Sequence, residues 1–148
     1  MRKLLKLLAI TLIVTLLVVP VMAIPAEAAV AALHEHINTG GDANSDAIYG
    51  MNVTAQIFES DATAHTVTKV KAYLKRTLSP STVTLSLYAV DAGEPTGDVL
   101  AYGTINGNSL PTTYVLATFT LVEEYALNAA TDYAIVISAE NGNPTNYV

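Results

Sequence analysis

Between residues 52 and 139 apolar and polar side chains alternate with a period of two, and the apolar runs are short and rich in Val, Thr, Tyr and Ile. The stretch 81–90 is the clearest case, with Val83, Leu85, Leu87 and Ala89 falling on one parity. The pattern predicts six strands, at 52–58, 66–76, 82–90, 98–105, 113–121 and 132–139. Turn-forming residues separate them: Glu59-Ser60-Asp61, Ser79-Pro80, Asp91 to Gly97, Asn106-Gly107-Asn108, Leu127 to Thr131, and Asn141 to Pro144. Residues 123–130 could form one helical turn, but beyond the N-terminal segment no apolar stripe has a helical period.

Parity then proposes the buried rows. Val70, Ala72 and Leu74 make one, Val83 to Ala89 the next, Val115, Ala117, Phe119 and Leu121 a third, and Tyr133, Ile135, Ile137 and Ala139 a fourth. Each row suits a sheet that is dry on one side and wet on the other. Two such sheets stacked face to face enclose an apolar interior. The expectation is an all-β fold, an antiparallel β-sandwich of jelly-roll type.

The first 28 residues read differently. Arg2, Lys3 and Lys6 form a basic start, Leu7 to Val19 is apolar up to Pro20, and Ala26-Glu27-Ala28 places small residues at a cleavage site. That is the layout of a secretory signal peptide, with a retained membrane anchor as the rival reading. Residues 29–47 are Ala-rich and then Gly-, Asp-, Asn- and Ser-rich, as in a flexible segment, and 48–148 forms one domain. Asn146-Tyr147-Val148 looks like the start of a strand, so the expectation is a domain truncated at its C-terminus.

Charge narrows the partners. Taking Arg2, Lys3, Lys6 and Glu27 from the 7 basic and 13 acidic residues leaves 4 and 12, a net charge of −8. An acidic body of this kind repels nucleic acid, and it repels anionic membrane surfaces beyond the signal segment. The sequence has no cysteine, which closes disulfides, thiolate metal sites and thiol nucleophiles.

The segments IYGMNVTAQIF (48–58), HTVTKVKAYLKR (65–76), STVTLSLYAVDAGEPTG (81–97) and LNAATDYAIVISAENGNPTNYV (127–148) occur in an order that resembles the secreted jelly-roll modules called choice-of-anchor domains. Such modules belong to bacterial, archaeal and phage surface proteins. The resemblance implies an extracellular, non-catalytic module for adhesion or glycan binding. In that family a Trp often stands where this chain has Val53, and this chain has no Trp. That departure argues against a sugar-stacking platform at this position. In the family a strand carrying aromatics and a Gly-rich hairpin follow the segment matching Tyr133 to Ala139, beyond what this sequence contains.

The basic residues after position 28 are Lys69, Lys71, Lys75 and Arg76. Lys69, Lys71, Tyr73 and Lys75 share parity, so they line one solvent-facing row, a cationic stripe able to grip an anionic extracellular polysaccharide. The plainer reading is a solvated face whose lysines discourage edge-to-edge aggregation. Asp42, Asn44 and Asp46 form the D-x-N-x-D opening of a calcium loop. An EF-hand would need Gly at position 47 and Glu at position 53, where Ala47 and Val53 stand. A structural calcium ion completed by distant carboxylates is the one cofactor left open, against an ordinary Asx turn.

His34 and His36 are too few for zinc. Glu123 or Glu124 paired with Asp132 or Asp91 could make a glycan hydrolase, but such pairs occur in any acidic β-protein. Asn52-Val53-Thr54 is a glycosylation sequon that the pattern places on a strand, where it would not be used. The functional expectation is a secreted or surface-attached, non-enzymatic binding module. The alternative is a structural repeat or spacer that contacts neighbouring surface-protein domains.

Overall fold

The structure, a computed structural model, describes residues 46–148. The signal-like segment, His34, His36, Asp42 and Asn44 lie outside the described residues. The described chain is all-β, with no α-helix among its residues. Its strands are β1 (Thr54–Glu59), β2 (His65–Leu74), β3 (Thr82–Asp91), β4 (Glu94–Asn106), β5 (Val115–Leu127) and β6 (Asp132–Ser138). They form a four-stranded sheet in the order β1-β6-β3-β4 and a two-stranded sheet of β2 and β5, with every pairing antiparallel.

All six expected strands are present, and two run longer than the pattern predicts. β4 begins at Glu94, not at 98, because the Asp91–Gly97 loop contains a two-residue turn at Ala92-Gly93. Both turn residues have positive φ, 50° and 83°, the combination whose twist matches that of a hairpin, and Gly93 meets it without a Cβ. Pro95 is tolerated inside β4 because β4 is an edge strand. β5 runs to Leu127, so 123–130 contains no helical turn. Tyr125 and Leu127 stay extended because they pair with Val67 and His65 of β2.

The buried rows follow parity. Val83, Leu85 and Leu87 of β3, Ala117, Phe119 and Leu121 of β5, Leu74 of β2 and Tyr133 of β6 meet in one apolar cluster drawn from both sheets. Val115 departs from its row and is exposed, since it lies at the very start of β5.

The connections β1→β2 and β5→β6 cross between the sheets side by side. Because β1 pairs with β6 and β2 with β5, the four strands form one antiparallel ribbon that bends from one sheet into the other. At the bend the regular ladder gives way to two separate backbone bonds, from the Ser60 N–H to the Thr131 carbonyl and from the Ala130 N–H to the Asp61 carbonyl (2.9 Å each), and side chains add to them. The buried Ser60 donates from Oγ to the Asn128 carbonyl (2.5 Å) and accepts from the Thr131 N–H (3.0 Å). The Tyr133 hydroxyl accepts from the Asn128 N–H at 3.0 Å, while its ring packs against Phe58 and Tyr125.

On the opposite side β4 and β5 touch backbone to backbone. A Cβ on Gly103 would stand 2.6 Å from the Thr120 carbonyl oxygen, so only glycine permits this approach.

Two stability predictions follow from these contacts. Ser60→Ala removes both hydrogen bonds made by the hydroxyl at the bend and should cost about 1–3 kcal/mol, read as a lower urea midpoint. An unchanged midpoint would show that the bend is held by something else. Gly103→Ala must push β4 away from β5, and a loss of about 1–3 kcal/mol is expected in the same titration.

Candidate functional site

β2 and β5 present one face to the core and the other to solvent. Along β2 the side chains of Lys69, Lys71 and Tyr73 are exposed, while Val70, Ala72 and Leu74 turn inward. The ladder sets Lys69 opposite Thr120, Lys71 opposite Thr118 and Tyr73 opposite Leu116. Residues directly opposite in an antiparallel pair share a face. Thr120, Thr118 and Leu116 are therefore the outward neighbours of the lysine row, and all three are exposed. Tyr73 is 71% exposed, Leu116 43% and Tyr114, just before β5, 51%.

The structure brings Lys69, Lys71 and Tyr73 together as parity predicted and treats Lys75 differently. β2 ends at Leu74, and Lys75 is half-buried, with its Nζ 4.6 Å from the centre of the Tyr114 ring. A cation over a tyrosine face is attracted by the ring quadrupole. Among the described residues the ammonium groups of Lys69 and Lys71 have no hydrogen-bond or ion-pair partner.

Arg76 is the odd member of the basic set. Its Nε donates to the Leu110 carbonyl (2.5 Å), a second guanidinium nitrogen donates to the Leu78 carbonyl (2.6 Å), and its backbone N–H donates to Pro111 (2.9 Å). Arg76 therefore ties down the loops that flank β2 and β5, a task separate from that of the lysines.

The electrostatic setting of the stripe is unusual for an acidic protein. No Asp or Glu occurs from 62 to 90 or from 99 to 122. The first carboxylates reached along β5 are Glu123 and Glu124, both exposed, in the stretch where 121–124 lose register opposite Thr68. Asp91 sits at the β3–β4 hairpin and Asp132 opens β6, both exposed.

Tyr114, Leu116, Thr118 and Thr120 were not singled out in the sequence. The signal was there in principle. If 115, 117, 119 and 121 face inward, then the even positions face out, and only the pairing of β5 with β2 joins them to the lysines.

Asp46 is exposed, and among the described residues no three His, Asp or Glu side chains are grouped to hold a metal ion. Asn52 corrects one expectation. It lies before β1 in a tight turn closed by two hydrogen bonds with Tyr49 (2.8 and 3.2 Å), and it is exposed. The strand starts only at Thr54 because the backbone of 49–52 is already paired within its own turn. No helix among the described residues is long and apolar enough to cross a membrane. No family model, curated protein or solved structure matches the chain.

Arg76 should separate from Lys69 and Lys71 in a stability measurement. Arg76→Ala leaves two loop carbonyls without their charged donor and is expected to lower stability by about 1–3 kcal/mol. Lys69→Ala and Lys71→Ala should stay within about 0.5 kcal/mol of the parent. Equal losses at all three positions would contradict this division.

Proposed function

We propose that this chain is a secreted or surface-attached, non-catalytic β-sandwich module of jelly-roll type that binds an anionic extracellular polysaccharide. Lys69, Lys71, Tyr73 and Lys75 are the contact residues, extended by Tyr114 and Leu116 on the neighbouring strand. The observation that carries this reading is the segregation of charge. All the lysines after position 28 lie on or directly beside the outer face of one two-stranded sheet, next to two exposed tyrosines and with no carboxylate among their cross-strand neighbours.

Three physical points support it. A polyanion is repelled by a body of net charge −8 everywhere except over a patch of positive potential, so the patch also selects orientation. Among the described residues Lys69 and Lys71 have no internal ion pair to break on binding. Tyr73 and Tyr114 offer flat apolar faces with a polar tip, which suits the ring face and hydroxyl rim of a sugar. The signal-peptide pattern of residues 1–28 supports an extracellular setting for such a surface, where acidic polysaccharides occur.

The test uses polygalacturonate and neutral dextran as probes in a calorimetric or co-sedimentation assay. Polygalacturonate should bind, weaken as salt rises, and lose roughly tenfold or more in affinity with Lys69→Glu, Lys71→Glu and Lys75→Glu combined. Tyr73→Ala should weaken binding with less change in salt dependence. Unaltered binding by the triple variant, or equal binding of neutral dextran, would remove this surface from consideration.

A further inference from the structure

The same strand has a second feature, its backbone edge. In the strand order, β1 and β4 are the edges of the larger sheet and both strands of the smaller one are edges. On one side β4 and β5 close together at Gly103 and Thr120. On the other side, among the described residues, β1 pairs only with β6 and β2 only with β5, so the outer edge of β2 from Lys69 to Tyr73 has no strand beside it there.

The core is unevenly covered, with Leu100 and Ile105 of β4 half-covered. Leu85, Phe119, Leu87 and Val83, toward the closed side, are almost fully buried. Phe58, Ile135 and Ile137 near β1, and Val67, Val70 and Ala72 on β2, reach the same core only half-covered.

The seam is bridged at both ends. At one end lies the Ser60 bend. At the other, Tyr147 exchanges hydrogen bonds with Thr77 (2.8 and 3.2 Å), and Val148 exchanges them with Ile48 (2.9 and 3.3 Å). Arg76 directs its N–H to Pro111, on the β5 side, and Thr77 directs its own the opposite way, to Tyr147. Strand alternation then gives the unpaired edge groups of β2 to Tyr73, Lys71 and Lys69. The Tyr147–Thr77 pairing is antiparallel, and it sets the sense in which further strand would lie along this edge.

We infer that the open edge of β2 accepts an extended segment of another polypeptide, antiparallel to β2, whose inward residues are apolar and whose outward residues are acidic. Main-chain hydrogen bonds to Lys69, Lys71 and Tyr73 supply the pairing, as in other strand-addition complexes. The apolar residues cover Val70, Ala72, Phe58 and Ile137, and the acidic ones lie beside the lysine row. A second copy of this chain is the wrong occupant, because two β2 edges placed antiparallel bring their lysines side by side on one face.

The inference shares the lysine row with the polysaccharide reading and differs from it in requiring the backbone edge. The probe is a short synthetic peptide alternating aspartate and valine. Its controls are a lysine–valine peptide and an N-methylated aspartate–valine peptide that cannot pair. Amide hydrogen exchange is followed by NMR on the whole protein.

The aspartate peptide should slow exchange at Lys69, Lys71 and Tyr73 by roughly tenfold or more, and the N-methylated form should not. Lys69→Glu with Lys71→Glu keeps the backbone and should switch the preference to the lysine peptide. Unchanged exchange at these amides, equal binding of the N-methylated peptide, or self-association through this edge would each overturn the inference. Polysaccharide binding that persists while peptide pairing fails, or the reverse, separates the two proposals.

Discussion

The fold depends on one bend. A two-stranded antiparallel ribbon, β1–β2 against β6–β5, turns from the larger sheet into the smaller one, and at the turn its backbone groups leave the ladder. Buried N–H and C=O groups without partners are costly, so such a turn persists only where side chains replace the missing strand bonds. Two backbone bonds span the bend, and the Ser60 and Tyr133 hydroxyls satisfy the Asn128 and Thr131 backbone groups beside them. The register of β2 on β5 continues from that point. A one-residue slip would exchange the two faces of β2, burying Lys69 and Lys71 and exposing Val70 and Ala72.

This explains what could be read from residues alone and what could not. The rows Val83–Leu87 and Val70–Leu74 were legible because parity along one strand is a local property, set by a pleat of period two. The exposed row Lys69, Lys71, Tyr73 was legible for the same reason. Tyr114 and Leu116 were not, because joining them to that row requires knowing that β5 pairs with β2 and in which register. The length of β4 was hidden by its composition. Glu94, Pro95 and Gly97 read as a loop, and it is the two positive-φ residues at Ala92-Gly93 that let the strand resume early. The division of work between Arg76 and the lysines was also invisible, since it rests on loop carbonyls brought near by the fold.

Charge in this protein is sorted by element. Exposed carboxylates occur at the β3–β4 hairpin, at the start of β6 and in the irregular part of β5. The outward face of the regular β2–β5 ladder carries Lys69, Lys71, Tyr73, Leu116, Thr118 and Thr120, and no carboxylate. Lysine beside an edge strand has a general physical use, since its charge discourages strands of neighbouring molecules from adding on. That use does not require the cations to be concentrated there. The other long uncovered edge, β1, has no lysine at all and ends in Glu59.

A blanket deterrent is not the use that this distribution favours. A deterrent works against any strand that approaches, whereas a row of like charges repels cations and attracts anions. In the proposals made above, the row beside β2 would oppose a second copy of itself and favour an acidic neighbour, at the side-chain face or at the backbone edge. The half-covered residues Val70 and Ala72 lie directly beneath, so a strand chosen by charge would also bury apolar surface already turned toward the core. Specificity would come from the outward row and affinity from the inward one, on alternate residues of a single strand.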